Sequence, residues 1–349
     1  MLLAASAALA LALPLAAQEA AKPVALAPSE IVAAAPKADW VAIPAEDLLV
    51  MTLAPDAEGK PRQVVIQLMP APFSQGWVHN IRLFARAKWY DGISVNRVQD
   101  NYVTQWGDPN YDNPEATGEP KPLPEGLKVM GEAEYVTPGT ALPRPEGPRL
   151  ADILAACPKK KGRCNVSDLP ADVQAVVTKI TRRPMVKDTY SETALFRDGW
   201  PLASAAPNVW PTHCYGMVGV GRNYSPDTGS GAELYTVIGH APRHLDRNIA
   251  LVGRVIEGMQ HLSSLPRGSG DLGFYTAEEA AKRTPILSVR VVSDLPAGEQ
   301  PQFEYLSTES TTFATYAEAI ANRRDPFFIV PAGGADICNI RVPVRRVEE

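Results

Sequence analysis

The chain has 349 residues, 45% of them apolar, with 34 Lys and Arg against 39 Asp and Glu for a net charge of −5. That length supports a real core in one large domain with insertions or in two domains, and without long basic runs the charge excludes a nucleic-acid surface as the organising feature. Lys159-Lys160-Lys161 reads as a solvated loop, and many of the 33 prolines crowd into 18–45 and 109–150, which are linker and loop rather than element interiors.

The first element is a targeting segment. Leu2 to Ala17 is continuously apolar, too short to span a bilayer, and closes on small residues before Gln18-Glu19. This is a signal peptide over 1–17 with cleavage after Ala17, and it implies an exported, periplasmic protein with no stable membrane insertion once the signal is removed. An Ala/Pro-rich linker over 18–45 follows.

Asp47–Leu53 and Gln63–Met69 are β-type runs around the turn "DAEGKPR", which makes a first hairpin. Trp77, Ile81, Phe84, Ala85 and Lys88 then fall at amphipathic helical spacing, with Ser74 as N-cap and Asp91-Gly92 as the stop. Trp77, Phe84 and Trp89 belong to the core of this helix. In "SVNRVQDNYVTQWGDP", Ser94 to Pro109, two short strands flank a turn, with Tyr102, Thr104 and Trp106 on one face and Val103 and Gln105 on the other. An insertion over about 110–208 comes next, polar and Pro-rich to about Gly147, then with two short helices around "CPKKKGRC", the second carrying Val173, Val176, Val177 and Ile180. From 209 β character returns in "CYGMVGVGR", "AELYTVIG", "IALVGRVIEGM" and "PILSVRVVSDL", with a short helix at Met259, Leu262 and Leu265. A helix over 313–324 and a last strand over 337–346 complete the chain.

Four cysteines in an exported chain suggest disulfides: Cys157 with Cys164 across a tight loop, and Cys214 with Cys338 tying the tail to the core. A metal site is not expected, since no C-x-x-C occurs, His213 beside Cys214 reads as a strand-edge residue, and Pro242 breaks the His240/His244 spacing. No phosphate loop, dinucleotide fingerprint or G-x-S-x-G elbow is present, so no cofactor is expected.

What remains is an ordered set: Tyr90-Asp91-Gly92, Asn96-Arg97-Val98, Tyr102, Gln105, Gly107-Asp108-Pro109, Met217, Leu245-Asp246, Gly253-Arg254-Val255 and Gly258-Met259. Over roughly 45–110 and 210–295 this resembles the cyclophilin family of peptidyl-prolyl cis-trans isomerases. The resemblance implies a mainly β fold: a closed eight-stranded antiparallel barrel capped by two helices. The cyclophilin-like domain would run over 46–295, with the insertion inside it and a 296–349 extension packing on the barrel. Its substrates would be proline-containing polypeptides. Arg97 matches the catalytic arginine. Tyr102 and Val103 match the proline pocket, Gln105 the clamp on the substrate backbone, and Met217, Glu233, Tyr235 and His244 further substrate-binding positions. Departures are Val95 and Asn96 for Phe-His, Tyr102 for Phe, Ile249 at the pocket histidine, and His244 for a side-wall tryptophan, which should weaken cyclosporin binding. Trp106 replaces a glycine and should make the strand edge beside the pocket bulkier. A proline-peptide binding module or chaperone with little turnover is the alternative function, and an assembly factor using the barrel as scaffold is a third.

Overall fold

The computed structural model describes residues 25–111, 116–142 and 185–347, with a few positions between 167 and 174. The signal segment, Cys157, Cys164 and the helices expected around them lie outside the described residues. In chain order the strands are β1 Trp40–Ala42, β2 Leu48–Leu53, β3 Arg62–Leu68, β4 Ser94–Val98, β5 Val103–Gly107, β6 Thr137–Pro138, β7 Met185–Val186, β8 Thr193–Arg197, β9 Trp200–Ala205, β10 Asn208–Pro211, β11 Met217–Val220, β12 Leu234–Val237, β13 Leu251–Glu257, β14 Ile286–Val291, β15 Phe303–Leu306 and β16 Val344–Arg346. The helices are α1 Pro28–Ala33, α2 Gln75–Arg86, α3 Gln260–Ser263 and α4 Thr311–Ala321.

Eight strands form an antiparallel sheet in the order β14-β2-β3-β13-β11-β12-β5-β4. Its two edges meet through a Ser94–Pro285 bridge, with the Val95 N–H bonded to the Thr284 carbonyl and the Ile286 N–H to the Ile93 carbonyl. The barrel is therefore nearly closed, and closure removes the unpaired edges that an open sheet exposes. Its wall is built from β-branched runs such as Val64-Val65-Ile66, buried on both faces. The β2–β3 turn is held by Asp56, whose carboxylate accepts the N–H groups of Glu58 and Lys60 at 3.1 and 2.7 Å.

Helix α2 packs on β13 and β14 and drives Trp77, Ile81, Phe84 and Ala85 into the main core. Lys88, expected on that face, lies past the helix end and is exposed, with left-handed φ. Ser74 does not act as a hydrogen-bonding cap. A capping side chain works from extended backbone, and Ser74 is left-handed with no cap bond. The Gln75 amide instead ties the helix start to the carbonyls of Met69 and Phe73. The second helix, α3, is a single turn beside β3.

The later part of the insertion forms a sheet of its own. Residues 185–211 carry β7 to β10, which join β6 in a sheet ordered β6-β10-β9-β8-β7. Asp198-Gly199 closes the β8–β9 hairpin with both residues at positive φ, the geometry that a two-residue turn of this kind demands. A third sheet, β1-β15-β16, joins residues near both ends of the described chain. Within the stretch read as spacer, α1 packs on α4, and Ile31 and Trp40 share a second core with Phe196, Leu306, Phe313, Tyr316 and Ile340. The last strand is shorter than expected. Residues 337–339 form a turn begun by Asp336, whose carboxylate accepts the Cys338 N–H, and only Val344–Arg346 pairs. Cys338 is bonded to Cys214, with Cα atoms 5.0 Å apart.

Candidate active site

A cleft of about 220 Å³ opens on the outer face of the β4–β5–β12–β11 part of the barrel. Strand alternation builds it. Val103 and Gln105 on β5 face the cleft, while Thr104 and Trp106, alternating with them, turn inward. Thr104 donates its hydroxyl to the Leu262 carbonyl at 3.0 Å. Trp106 is 1% exposed in the barrel core, so it does not thicken the strand edge beside the cleft. The expectation of a bulkier rim is corrected by the pleat itself.

Val103, Tyr235 and Val237 form the apolar base, with Tyr102 and Ile249 packed against it. Tyr102 precedes β5 and joins this wall instead of sharing a face with Trp106. Arg97 crosses the cleft. Its Nε donates to the Leu272 carbonyl at 2.7 Å, Nη1 to Gln105 Oε1 at 3.1 Å, and Nη2 to Gln99 Oε1. The guanidinium lies 5.7 Å from the Tyr102 ring centroid and 5.4 Å from that of Phe274. Burial pushes Arg97 below its ordinary pKa, offset in part by Tyr102, Glu233 and Tyr235; it stays protonated at any ordinary pH. Gln105 Nε2 donates to Glu233 Oε2 at 2.6 Å. Arg97, Gln105 and Glu233 are thus one connected chain of polar groups over an apolar floor.

The rim at 227–231 is pinned from below by α2 and the turn that follows it. Trp77 Nε1 donates to the Gly229 carbonyl, Asn80 Nδ2 to Ser230 and Lys128, and the Tyr90 hydroxyl to Gly231. Trp77 and Asn80 of the helix, with Tyr90 just beyond it, therefore shape the cleft without touching it.

Of the positions suggested by resemblance, Arg97, Tyr102, Val103, Gln105, Glu233 and Tyr235 come together. Met217 does not. Val220 and Gly221, at the far end of β11, line the cleft, whereas Met217 at its start is buried in the core. His244 is exposed on a turn, its ring 6.5 Å from that of Tyr102 and nearly parallel to it, outside the cleft lining. Phe274 and Leu272 were missed; they come from a loop nearly two hundred residues along the chain, and no local pattern marks them. His213 is no strand-edge residue. It is 1% exposed and hydrogen-bonded on both ring nitrogens. Among the described residues no cluster of His, Cys, Asp or Glu is suited to a metal, and no helix is long and apolar enough to cross a membrane.

Barrel and cleft together define a β-barrel peptidyl-prolyl isomerase. A family model described as cyclophilin type peptidyl-prolyl cis-trans isomerase/CLD matches residues 63–291. The chain belongs to this family. Among solved structures it is similar to the cyclophilin AquaCyp293 from Hirschia baltica, at 18% identity and TM-score 0.56, covering 89% of this chain and 95% of that one. A cyclophilin-type isomerase from Cryptosporidium parvum, crystallised in the presence of the dipeptide Ala-Pro, also matches, at 8% identity and TM-score 0.33 over 69% of this chain and 98% of that one. No curated protein matches the chain.

Proposed function

We propose that this protein accelerates rotation of X-Pro bonds in exported polypeptides, with Arg97 stabilising the twisted amide. Planarity of the peptide bond opposes rotation by roughly 18–20 kcal/mol. In the twisted state the prolyl nitrogen loses conjugation and becomes a hydrogen-bond acceptor. A donor beside it then binds the twisted state better than either planar one, and that difference is catalysis. The observation that carries the reading is the fixed guanidinium. Three of its five N–H donors are engaged by Leu272, Gln105 and Gln99 among the described residues, which sets its plane and leaves donors for a substrate. Tyr102, Val103, Tyr235 and Ile249 supply an apolar seat for the proline ring. Export is supported by the apolar leader at 1–17 and by the Cys214–Cys338 bond, which suits an oxidising compartment such as the periplasm. An NMR exchange assay on an X-Pro peptide tests the activity. Turnover no faster than the spontaneous rate defeats it. N-terminal sequencing of the mature protein tests export, with a start at Gln18 expected.

A binding module with little turnover is favoured by one observation. The Glu233 carboxylate, bonded to Gln105, offsets part of the positive field of Arg97 at the cleft. The same assay separates the two readings, since a binding module broadens peptide signals without raising the exchange rate.

A further inference from the structure

A buried polar chain runs from the insertion to the floor of the cleft. The Tyr235 hydroxyl lies 2.9 Å from His213 Nε2, and His213 Nδ1 lies 2.9 Å from Asp246 Oδ1. That same carboxylate oxygen accepts the His213 backbone N–H at 2.9 Å. Asp246 Oδ2 accepts from Arg243 Nε at 2.7 Å, and the two Nη atoms of Arg243 clasp Asp188 at 3.1 and 2.7 Å. The side chains of His213, Asp246, Arg243 and Asp188 are all at most 4% exposed. Asp246 is an acceptor only, so the imidazole proton sits on Nδ1. Nε2 is then the acceptor, and the Tyr235 hydroxyl donates to it. The polarity of the chain is therefore set from one end to the other.

Gly219 shows that the hydroxyl has been given its own space. A Cβ there would lie 2.3 Å from Tyr235 Oη and 2.4 Å from Cζ. The ring of Tyr235 meanwhile faces the cleft with Val103. The tyrosine is thus held at its far end by a network whose last member, Asp188, precedes β8 and lies outside the barrel.

We propose that Asp188, Arg243, Asp246 and His213 are positioning residues that lock the Tyr235 ring as the wall of the proline pocket, so that the insertion sets peptide affinity from outside the barrel. This rests on the reading of the cleft as a proline-peptide site. Loss of any link frees the ring to swing, and the cost falls on binding the peptide more than on rotating the bond.

The test uses the full chain and an X-Pro peptide, with Kd from NMR titration and exchange rate at saturation. Tyr235→Phe, which keeps the ring, and Asp188→Asn, which keeps the shape, are each expected to raise Kd about fivefold, with a smaller fall in the saturated rate. The double variant is expected to match the worse single variant, because both break one chain. A Kd unchanged in Tyr235→Phe overturns the proposal. So does a Kd effect of Asp188→Asn that multiplies onto that of Tyr235→Phe, since Asp188 would then act by another route. Because Kd is read without turnover, failure of the isomerase reading leaves this test intact.

Discussion

Replacing Trp106 with alanine separates the barrel core from the cleft. The indole is 1% exposed and packed among the main core residues, one position beyond Gln105, which faces the cleft. Removing roughly 200 Å² of buried aromatic surface at about 25 cal/mol/Å² forfeits about 5 kcal/mol. The alanine methyl and partial collapse recover some of this, and measured Trp→Ala losses in cores run about 3–5 kcal/mol. Urea unfolding followed by circular dichroism should therefore show a fall of about 3–5 kcal/mol with an unchanged m-value. Peptide Kd, measured where the variant is fully folded, should change less than threefold. A loss under about 1 kcal/mol, or a tenfold change in Kd with little loss of stability, would place Trp106 at the cleft and refute the face assignment on β5.

Three further outcomes follow from the structure. Asn80→Ala leaves the Lys128 N–H and the carbonyls of Lys128 and Ser230 without their buried partner and should cost about 2–3 kcal/mol by urea unfolding; a loss below about 0.5 kcal/mol contradicts its pinning role. Cys214→Ser with Cys338→Ser opens a link between positions 124 apart and should cost about 3–5 kcal/mol, read as a lower Tm. Burial depresses the pKa of His213, partly offset by Asp246, whereas burial raises Asp246 and bonds from His213 and Arg243 more than reverse that. The unfolded chain therefore takes up protons first, and Tm should fall as pH drops below about 6.5 and again below about 4. A Tm that is flat from pH 7 to 5 would mean that His213 is not held neutral.

The fold was legible where pattern is local. The β2–β3 hairpin announces itself by β-branched runs around an Asp/Gly turn, and on the site hairpin alternation aims Val103 and Gln105, whereas Arg97 and Tyr102 were placed by resemblance, Tyr102 lying just before the strand. Met217 was placed by resemblance alone, and it sits in the core at the start of β11 while Val220 and Gly221 at the other end line the cleft. The β8–β9 hairpin had a readable signal in Asp198-Gly199 between the short runs Thr193–Arg197 and Trp200–Ala205, and it was missed. Phe274, Leu272 and the His213–Asp246 pair carry no such signal. They meet only through tertiary contacts between distant segments, and a lone buried histidine looks the same in sequence as a surface one.

The most direct test of the account is the exchange rate of an X-Pro peptide with Arg97→Ala and Arg97→Lys beside the wild type. Losing one preorganised donor to a developing acceptor typically costs about 10²–10³ in rate. Both variants should lose at least about a hundredfold in kcat/KM, lysine included, because an ammonium cannot reproduce the fixed plane held by Leu272, Gln105 and Gln99. Peptide Kd should move far less than the rate. Full exchange activity in Arg97→Ala, with the protein folded and the peptide bound, would contradict the role given to Arg97.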